Sequence, residues 1–345
     1  MLVTSSFGSL ADGSQATAHT IDSGADGLQL TVLDLGATVT RVRMPSPRGG
    51  FGDVALALGT AQEYASPTNP YLGATVGRYA NRIGGASFTL DGVRHELAAN
   101  EGSTCLHGGP GGFHARRWSV VGSDDHSVEL ELVSPDGDQG FPGEVTARVR
   151  YTVGPDTVTI EHHARTEAPT VVSLTNHTYF NLAGEGTVED HRLTLAADAF
   201  LPVDADSIPL GILEPVQGGP FDFREAAGIH DRVRSPHPQV RLASGIDHAY
   251  VVSGDGLRLA ARLEHPPTGR VLEVSTTQPS VQVYTGNKLD GTLTGRDGRS
   301  LEPRAGIALE CQEFPDAPNH PGFPSTVLRP GEEYRATTVW RLFTT

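Results

Sequence analysis

Apolar and polar residues alternate in short runs along this chain, and a glycine, proline or asparagine turn closes each run. SVELELV (127–133), VTARVRYTV (145–153), TVTIEHHA (157–164), LRLAARLEH (257–265), RVLEVSTT (270–277) and YRATTVWRL (334–342) all follow the rule. LQLTVLDLGATVTRVRMP (28–45) alternates, breaks at Gly36 and resumes, as a hairpin or a bent strand does. A period of two puts one face of each strand against a core and the other towards water. Segments with a helical period are absent, apart from a short candidate over 223–233 capped by Asp222. Many short strands with frequent turns predict an all-β protein, a large antiparallel β-sandwich or barrel. The turns run end to end without a linker, so residues 1–345 read as a single domain. No fixed-period repeat is present.

Composition narrows the function. With 345 residues, 37% of them hydrophobic, the chain can bury a large core. Its formal charge is −15 and it has no lysine or arginine block, so no nucleic-acid partner is expected. An acidic surface also repels anionic substrates such as sugar phosphates, unless a local arginine pocket reverses the sign. Two cysteines, Cys105 and Cys311, are too few for a disulfide framework. The start shows no signal-peptide pattern, and no apolar run reaches membrane-spanning length. A cytoplasmic protein without membrane contact is expected. Lys288 is the only lysine and reads as compositional bias.

One stretch, VVSLTNHTYFNLAG (171–184), looks unlike an ordinary sandwich strand. Alternation would place Val171, Ser173, Thr175, His177 and Tyr179 on one face, a polar ladder suited to the floor of a ligand cleft. Taken alone, a core histidine bonded to a neighbouring hydroxyl explains it as well. Four other segments mix functional groups with glycine and aromatics. NPYLGATVGRYANRIGG (69–85) carries adjacent Asn81 and Arg82, which suit hydroxyl or carboxylate recognition. In CLHGGPGGFHARRW (105–118), His107 precedes two glycines that would let a ligand approach the backbone. Asp247 opens a strand in GIDHAYVV (245–252). In GIALECQEFPDAPNHPGFP (306–324), Glu310 follows an apolar run and is expected to be partly buried, so it must be paired or must work. The proline-rich segment after it reads as an ordered loop able to roof a cleft. No HxH, HExxH, GK[ST] or GxSxG spacing occurs, so no metal, phosphate loop or serine nucleophile is expected.

In several ordered blocks the chain resembles the aldose 1-epimerase (galactose mutarotase) family. The blocks are FGSLADG (7–13), GATVGRYANRI (73–83), LHGG (106–109), GFPGEV (140–145), NHTYFNLAG (176–184), GIDHAYV (245–251), VQVYTGNKLDGT (281–292) and LECQEFPDAPNHPGFPS (309–325). The resemblance implies a β-supersandwich of two large antiparallel sheets. It implies interconversion of the α and β anomers of a free aldose, without cofactor or metal, by a monomer or homodimer. By the matching motifs Glu310 would be the general base, His177 the general acid, and His107 an assistant at the ring oxygen. Asn81, Arg82, Asp247 and Gln282 would hold the sugar hydroxyls, with Tyr179 nearby. Three positions depart from the family pattern: Cys311 where threonine is commoner, Lys288 where an apolar residue is usual, and Ala249 where asparagine is frequent. These bear on sugar preference more than on the reaction.

The residues fit the chemistry. Mutarotation needs a base for the C1 hydroxyl and an acid for the ring oxygen, on opposite sides of the C1–O5 bond; each contributes typically about 10²–10⁴-fold. At rest Glu310 is expected to be ionised and His177 protonated, with activity falling as His177 deprotonates. Three other readings share some of these residues. A carbohydrate-binding sandwich would need neither Glu310 nor His177. An epimerase of a phosphorylated hexose would need an arginine cluster, for which Arg116 and Arg117 are nearest. A glycoside hydrolase would need a second carboxylate, for which Asp247 is the candidate.

Overall fold

The computed structural model describes residues 1–24, 27–46 and 49–345. The alternation does what it predicts. In strand Val145–Val153, Val145, Ala147, Val149, Tyr151 and Val153 are buried, and Arg148 between them is exposed. This strand lies in a nine-stranded antiparallel sheet with Ser119–Asp124, Ser127–Ser134, Thr157–Thr166, Tyr334–Thr344, Arg270–Thr276, Arg258–His265, Arg192–Leu195 and Ala227–Gly228. A six-stranded antiparallel sheet runs in the order Tyr179–Phe180, Ile307–Gln312, Ser280–Tyr284, Asp247–Val251, Ala199–Phe200 and Glu214–Pro215. A five-stranded sheet, Leu2–Ser9 to Phe51–Asp53, follows chain order. The two large sheets implied by the resemblance are therefore joined by a third. Among the described residues no helix is long and apolar enough to cross a membrane.

All three sheets feed one apolar core. It contains Val32 and Val42 from the five-stranded sheet, Val149, Ile160 and Trp340 from the nine-stranded sheet, and Val281, Val283 and Leu309 from the six-stranded sheet. Phe180 and Trp340 meet edge to face across this core, ring centroids 5.0 Å apart. That contact ties the nine- and six-stranded sheets together. Gly36, at φ 66°, turns the hairpin between Gln29–Leu33 and Val39–Pro45. A Cβ there would lie 2.5 Å from the His114 carbonyl oxygen, so the break read in the sequence requires glycine.

Two expectations need correction. Residues 171–184 are not one strand. Thr170–Val171 pairs with Val327–Leu328, Thr175–Asn176 with Thr75–Val76, and Tyr179–Phe180 with Ile307–Gln312. The change of partner is built around Asn176, whose Oδ1 accepts from both the N–H and the hydroxyl of Thr178 (3.1 and 2.6 Å). Such a local turn competes with a sheet ladder and ends it. The helix read over 223–233 is only Ile229–Val233, and Asp222 does not cap it. The Asp222 carboxylate is held by Arg224 (2.9 Å) and the Gly218 N–H (3.0 Å) instead.

Truncating Trp340 to alanine leaves a large cavity between two sheets and is expected to cost about 3–5 kcal/mol. Chemical denaturation checks this. A midpoint unchanged from the parent would show that the Phe180–Trp340 contact does not couple the sheets.

Candidate active site

Strand register assembles one wall of the site. Glu310 lies directly opposite Gln282, and Gln282 opposite Ala249. Asp247 lies opposite Tyr284, and Tyr179 opposite Ala308. Since alternate residues share a face, Tyr179, Glu310, Gln282 and Asp247 all project from the same side of the six-stranded sheet. The other side, with Phe180, Val281, Val283, Ile307, Leu309 and Cys311, is core. Gln282 Nε2 donates to Asp247 Oδ1 at 2.7 Å, which fixes the amide and leaves its Oε1 without a partner.

His177 enters from the broken stretch. Its N–H donates to Ala74 O and its carbonyl accepts from Gly73 N–H, both at 2.9 Å. Its ring stacks on Tyr179 (centroids 4.9 Å apart) and its Nε2 stands 3.6 Å from Glu310 Oε1. The Tyr179 hydroxyl donates to Pro70 O at 3.0 Å, so this residue supports His177 from the side. Asn81, at φ 63°, and His107, at φ 52°, lock two loops together. The Asn81 N–H donates to His107 Nδ1 (3.1 Å), and the His107 N–H to Asn81 O (2.9 Å). A neutral His107 therefore carries its proton on Nε2 and offers it as a donor. Asn81 Oδ1 accepts from the Arg82 N–H (2.9 Å), which leaves the Asn81 amide nitrogen as the free donor.

Arg82 is buried, and Glu101 receives its Nε (2.6 Å) and Nη2 (3.2 Å). Lys288, the only lysine, binds the same carboxylate at 2.9 Å. Its role is thus electrostatic rather than a compositional accident, although its own side chain is largely exposed.

Burial sets the protonation of the central pair. Desolvation, aided by the charge of Asp247, pushes the Glu310 carboxyl well above the usual carboxylate range, and Arg82 only partly offsets this. Desolvation pushes His177 down to about 4. His107 falls well below the usual imidazole range, first by burial and then by the nearness of His177, Arg82 and His114. Burial thus opposes both expected charges: in the empty site it raises the proton affinity of the carboxyl and leaves the imidazole neutral near pH 7. Two bare charges without water cost more than their attraction returns. Glu310 Oε2 and His177 Nδ1 are both buried without a hydrogen-bond partner. Unsatisfied polar atoms at one spot mark where a polar ligand sits.

All eight residues singled out as catalytic or sugar-binding lie in this network or against it. Tyr71, φ 60°, was missed, though it is the third residue of the segment quoted at 69–85. Its ring packs on His107 (4.5 Å), His114 (4.7 Å) and His177 (6.0 Å). Glu101 was missed because nothing local distinguishes it. One secondary expectation fails. The glycines after His107 admit the protein's own backbone, since a Cβ on Gly108 would lie 2.0 Å from Gly77 O. The loop after Glu310 is tied to the backbone beside Arg82: Asp316 N–H donates to Arg82 O, and Asp316 Oδ1 accepts from Gly84 N–H, both at 2.9 Å. Arg116 and Arg117, the nearest phosphate-binding candidates, are already paired to Asp138 (2.9 Å) and Asp34 (2.5 Å).

A buried carboxylate and imidazole facing each other, beneath a rim of fixed amide, guanidinium and carboxylate groups, is an acid–base site for a neutral polyhydroxylated ligand. The sequence matches the family described as Aldose 1-epimerase over residues 18–341. The chain belongs to the aldose 1-epimerase family. It is 41% identical over 342 residues to the galactose mutarotase of Sus scrofa, covering 98% of this chain and 97% of the relative. It is 41% identical over 324 residues to the aldose 1-epimerase of Escherichia coli K12, covering 91% and 92%. The crystal structure of an aldose epimerase homologue from C. elegans superposes with a TM-score of 0.88 at 31% identity, covering 95% of this chain and 99% of that one. The galactose 1-epimerase of Lactobacillus acidophilus gives 0.87 at 29% identity, covering 100% and 99%.

Within this aldose 1-epimerase site, His107, His177 and Glu310 bring three donor atoms within 4.8 Å of one another, a spacing a metal ion could also use. The members of this cluster are scattered along the chain, and in the sequence only the family resemblance brings them together. The donor set is poorly prepared for a metal. His177 Nδ1 lacks the carboxylate or carbonyl partner that orients a ligating imidazole.

Glu101 is the hinge of the Arg82–Lys288 arrangement. Glu101→Ala strands a buried guanidinium and is expected to cost about 1–3 kcal/mol. Lys288→Ala removes only the exposed arm and should cost under about 1 kcal/mol. Thermal unfolding of the two variants ranks them, and equal losses would contradict the arrangement.

Proposed function

We propose that this aldose 1-epimerase acts on free hexoses such as glucose and galactose, with Glu310 and His177 passing one shared proton across the sugar. The observation that supports this most strongly is the buried pair itself, 3.6 Å apart with one unpartnered atom on each side. Sugar hydroxyls hydrogen-bond the unpartnered Glu310 Oε2. The carboxylate is thereby stabilised and the proton moves to His177. Glu310 then takes the proton from the C1 hydroxyl while His177 protonates O5. The C1–O5 electrons go to the ring oxygen, and the C1–O1 bond becomes a carbonyl. Rotation about C1–C2 presents the other carbonyl face. Reversal of both transfers closes the ring as the other anomer and restores the pair.

His107 donates its Nε2 proton towards the ring oxygen, stabilising charge without giving up the proton. Arg82, Asn81, Asp247 and Gln282 read the hydroxyl rim. Tyr179 and Tyr71 hold the two imidazoles in place. No step requires a metal or a covalent nucleophile, so activity should survive exhaustive chelation.

Polarimetry on freshly dissolved α-D-glucose and α-D-galactose tests the reading. Glu310→Gln should lower turnover by about 10²–10⁴-fold, the size of one lost acid–base partner. Asp247→Ala should chiefly raise KM, because an unpaired buried hydroxyl is costly to bind. Binding of sugar without any acceleration over buffer would instead make this a carbohydrate-binding sandwich.

The pH profile carries the sign of the argument. Below about 4 His177 gains a second proton for the pair, and no base remains. Above the raised carboxyl range the last proton leaves and no acid remains. The profile of kcat/KM, which reports the free protein, should be bell-shaped, and its alkaline limb belongs to the pair rather than to His177 alone. Asp247→Asn removes a negative charge that helps Glu310 keep its proton, so the alkaline limb should move to lower pH. A limb that stays in place or moves upward would refute the assignment.

A further inference from the structure

Away from the sugar site, a cavity of about 640 Å³ opens where the five-stranded sheet meets the turn after Phe180 and the loop before Glu310. It shares no residue with the Glu310–His177 network. Its size falls in the range of small-ligand pockets, roughly 300–1,000 Å³. Four arginines line it: Arg41, Arg270, Arg296 and Arg299.

Their partners divide them into two kinds. Arg41 faces Asp53 at 3.1 Å, and Arg299 faces Asp297 at 2.6 Å and Glu185 at 2.9 Å. Glu302, the remaining acid on the lining, is exposed. Arg270 and Arg296 have no ion-pair partner among the described residues. Arg270 is 6% exposed. Its Nη1 donates to Leu182 O at 2.9 Å, and its Nε has no partner. Gly52 makes room for it: a Cβ there would lie 2.1 Å from Arg270 Nη2. Arg296 Nη2 reaches only the Thr40 carbonyl oxygen, at 2.7 Å.

A buried guanidinium without a counter-charge is expensive, and a chain of charge −15 has ample acid to supply one. Arg270 is buried and Arg296 half-buried, with Asp53 acting on Arg296 only from beyond ion-pair distance; the two on one cavity suit a ligand that brings two negative charges. A phosphomonoester does so near pH 7, with three oxygens suited to guanidinium forks. We propose that this cavity is a second site, separate from the sugar site, that binds a small organic phosphomonoester through Arg270 and Arg296. The acidic surface keeps the general affinity for anions low, and Arg270 and Arg296 supply positive charge on this lining that no ion pair takes up.

Isothermal titration of the whole protein with glycerol 3-phosphate, in the presence of saturating D-galactose, tests this independently of the catalytic roles. One-to-one binding is expected, with inorganic phosphate competing, glycerol silent and succinate weaker. Arg270→Met and Arg296→Gln should each weaken binding by roughly ten- to hundredfold, the loss of one charge-assisted hydrogen-bonded partner. Arg296→Gln should still mutarotate galactose at the parental rate, which shows an intact fold. If Arg270→Met fails to fold, Arg296→Gln alone decides. The proposal is overturned by absent binding, by binding that galactose abolishes, by unchanged affinity in Arg296→Gln, or by succinate binding as tightly as the phosphate.

Discussion

Everything around the sugar site depends on one awkward fact, a carboxyl and an imidazole buried together with too few partners. Glu310 is 2% exposed and His177 4%. Burial works against the charged form of each, raising the proton affinity of Glu310 and lowering that of His177. The surroundings keep that balance adjustable. Arg82 favours the carboxylate and Asp247 opposes it. Asp247, with Glu101, in turn keeps Arg82 charged against its own burial. Lys288 reinforces Glu101 from the surface. A run of charges of alternating sign thus links the solvent to the buried pair.

The β architecture makes this arrangement affordable. Leu309 and Cys311 flank Glu310 in sequence and face the core, so the strand is held by apolar burial on one side while its other side carries the carboxyl. His177 needs the opposite treatment. A regular strand would fix it by ladder bonds alone. The turn at Asn176 instead frees it from the ladder, and Ala74, Gly73 and Tyr179 define its position. The site joins a rigid sheet face to an irregular segment that several elements hold at once. Precise acid–base geometry is usually built in this way.

Whatever depends on local pattern could be read in the sequence. Period-two alternation located the long strands, because each buries one face and wets the other. Glu310 after an apolar run and Asp247 at a strand start signalled their own importance. Long-range placement left no local trace. Residues 171–184 look continuous but pair with three different segments in turn, and those partners lie up to about 160 residues away in sequence. Glu101 and Tyr71 gain meaning only from Arg82, His107 and His177, which reach them through folding. The charges expected of the central pair, a carboxylate beside an imidazolium, rest on residue types alone, and burial opposes both of them.

Mutarotation itself explains why that opposition is tolerable. The two anomers of a hexose differ little in free energy, and the catalyst must open and close the ring with equal ease. A strongly acidic carboxyl beside a strongly basic imidazole would lock the proton on one side, and the return transfer would be slow. Burial raises the proton affinity of Glu310 and lowers that of His177, so the two approach each other in the empty site. The hydroxyls of a bound sugar restore part of the lost solvation and draw the two affinities together. Proton transfer is fastest when donor and acceptor are matched and the protonation states are populated. In this proposal the substrate completes the acid–base pair, which explains why the fold leaves one atom of each partner unsatisfied.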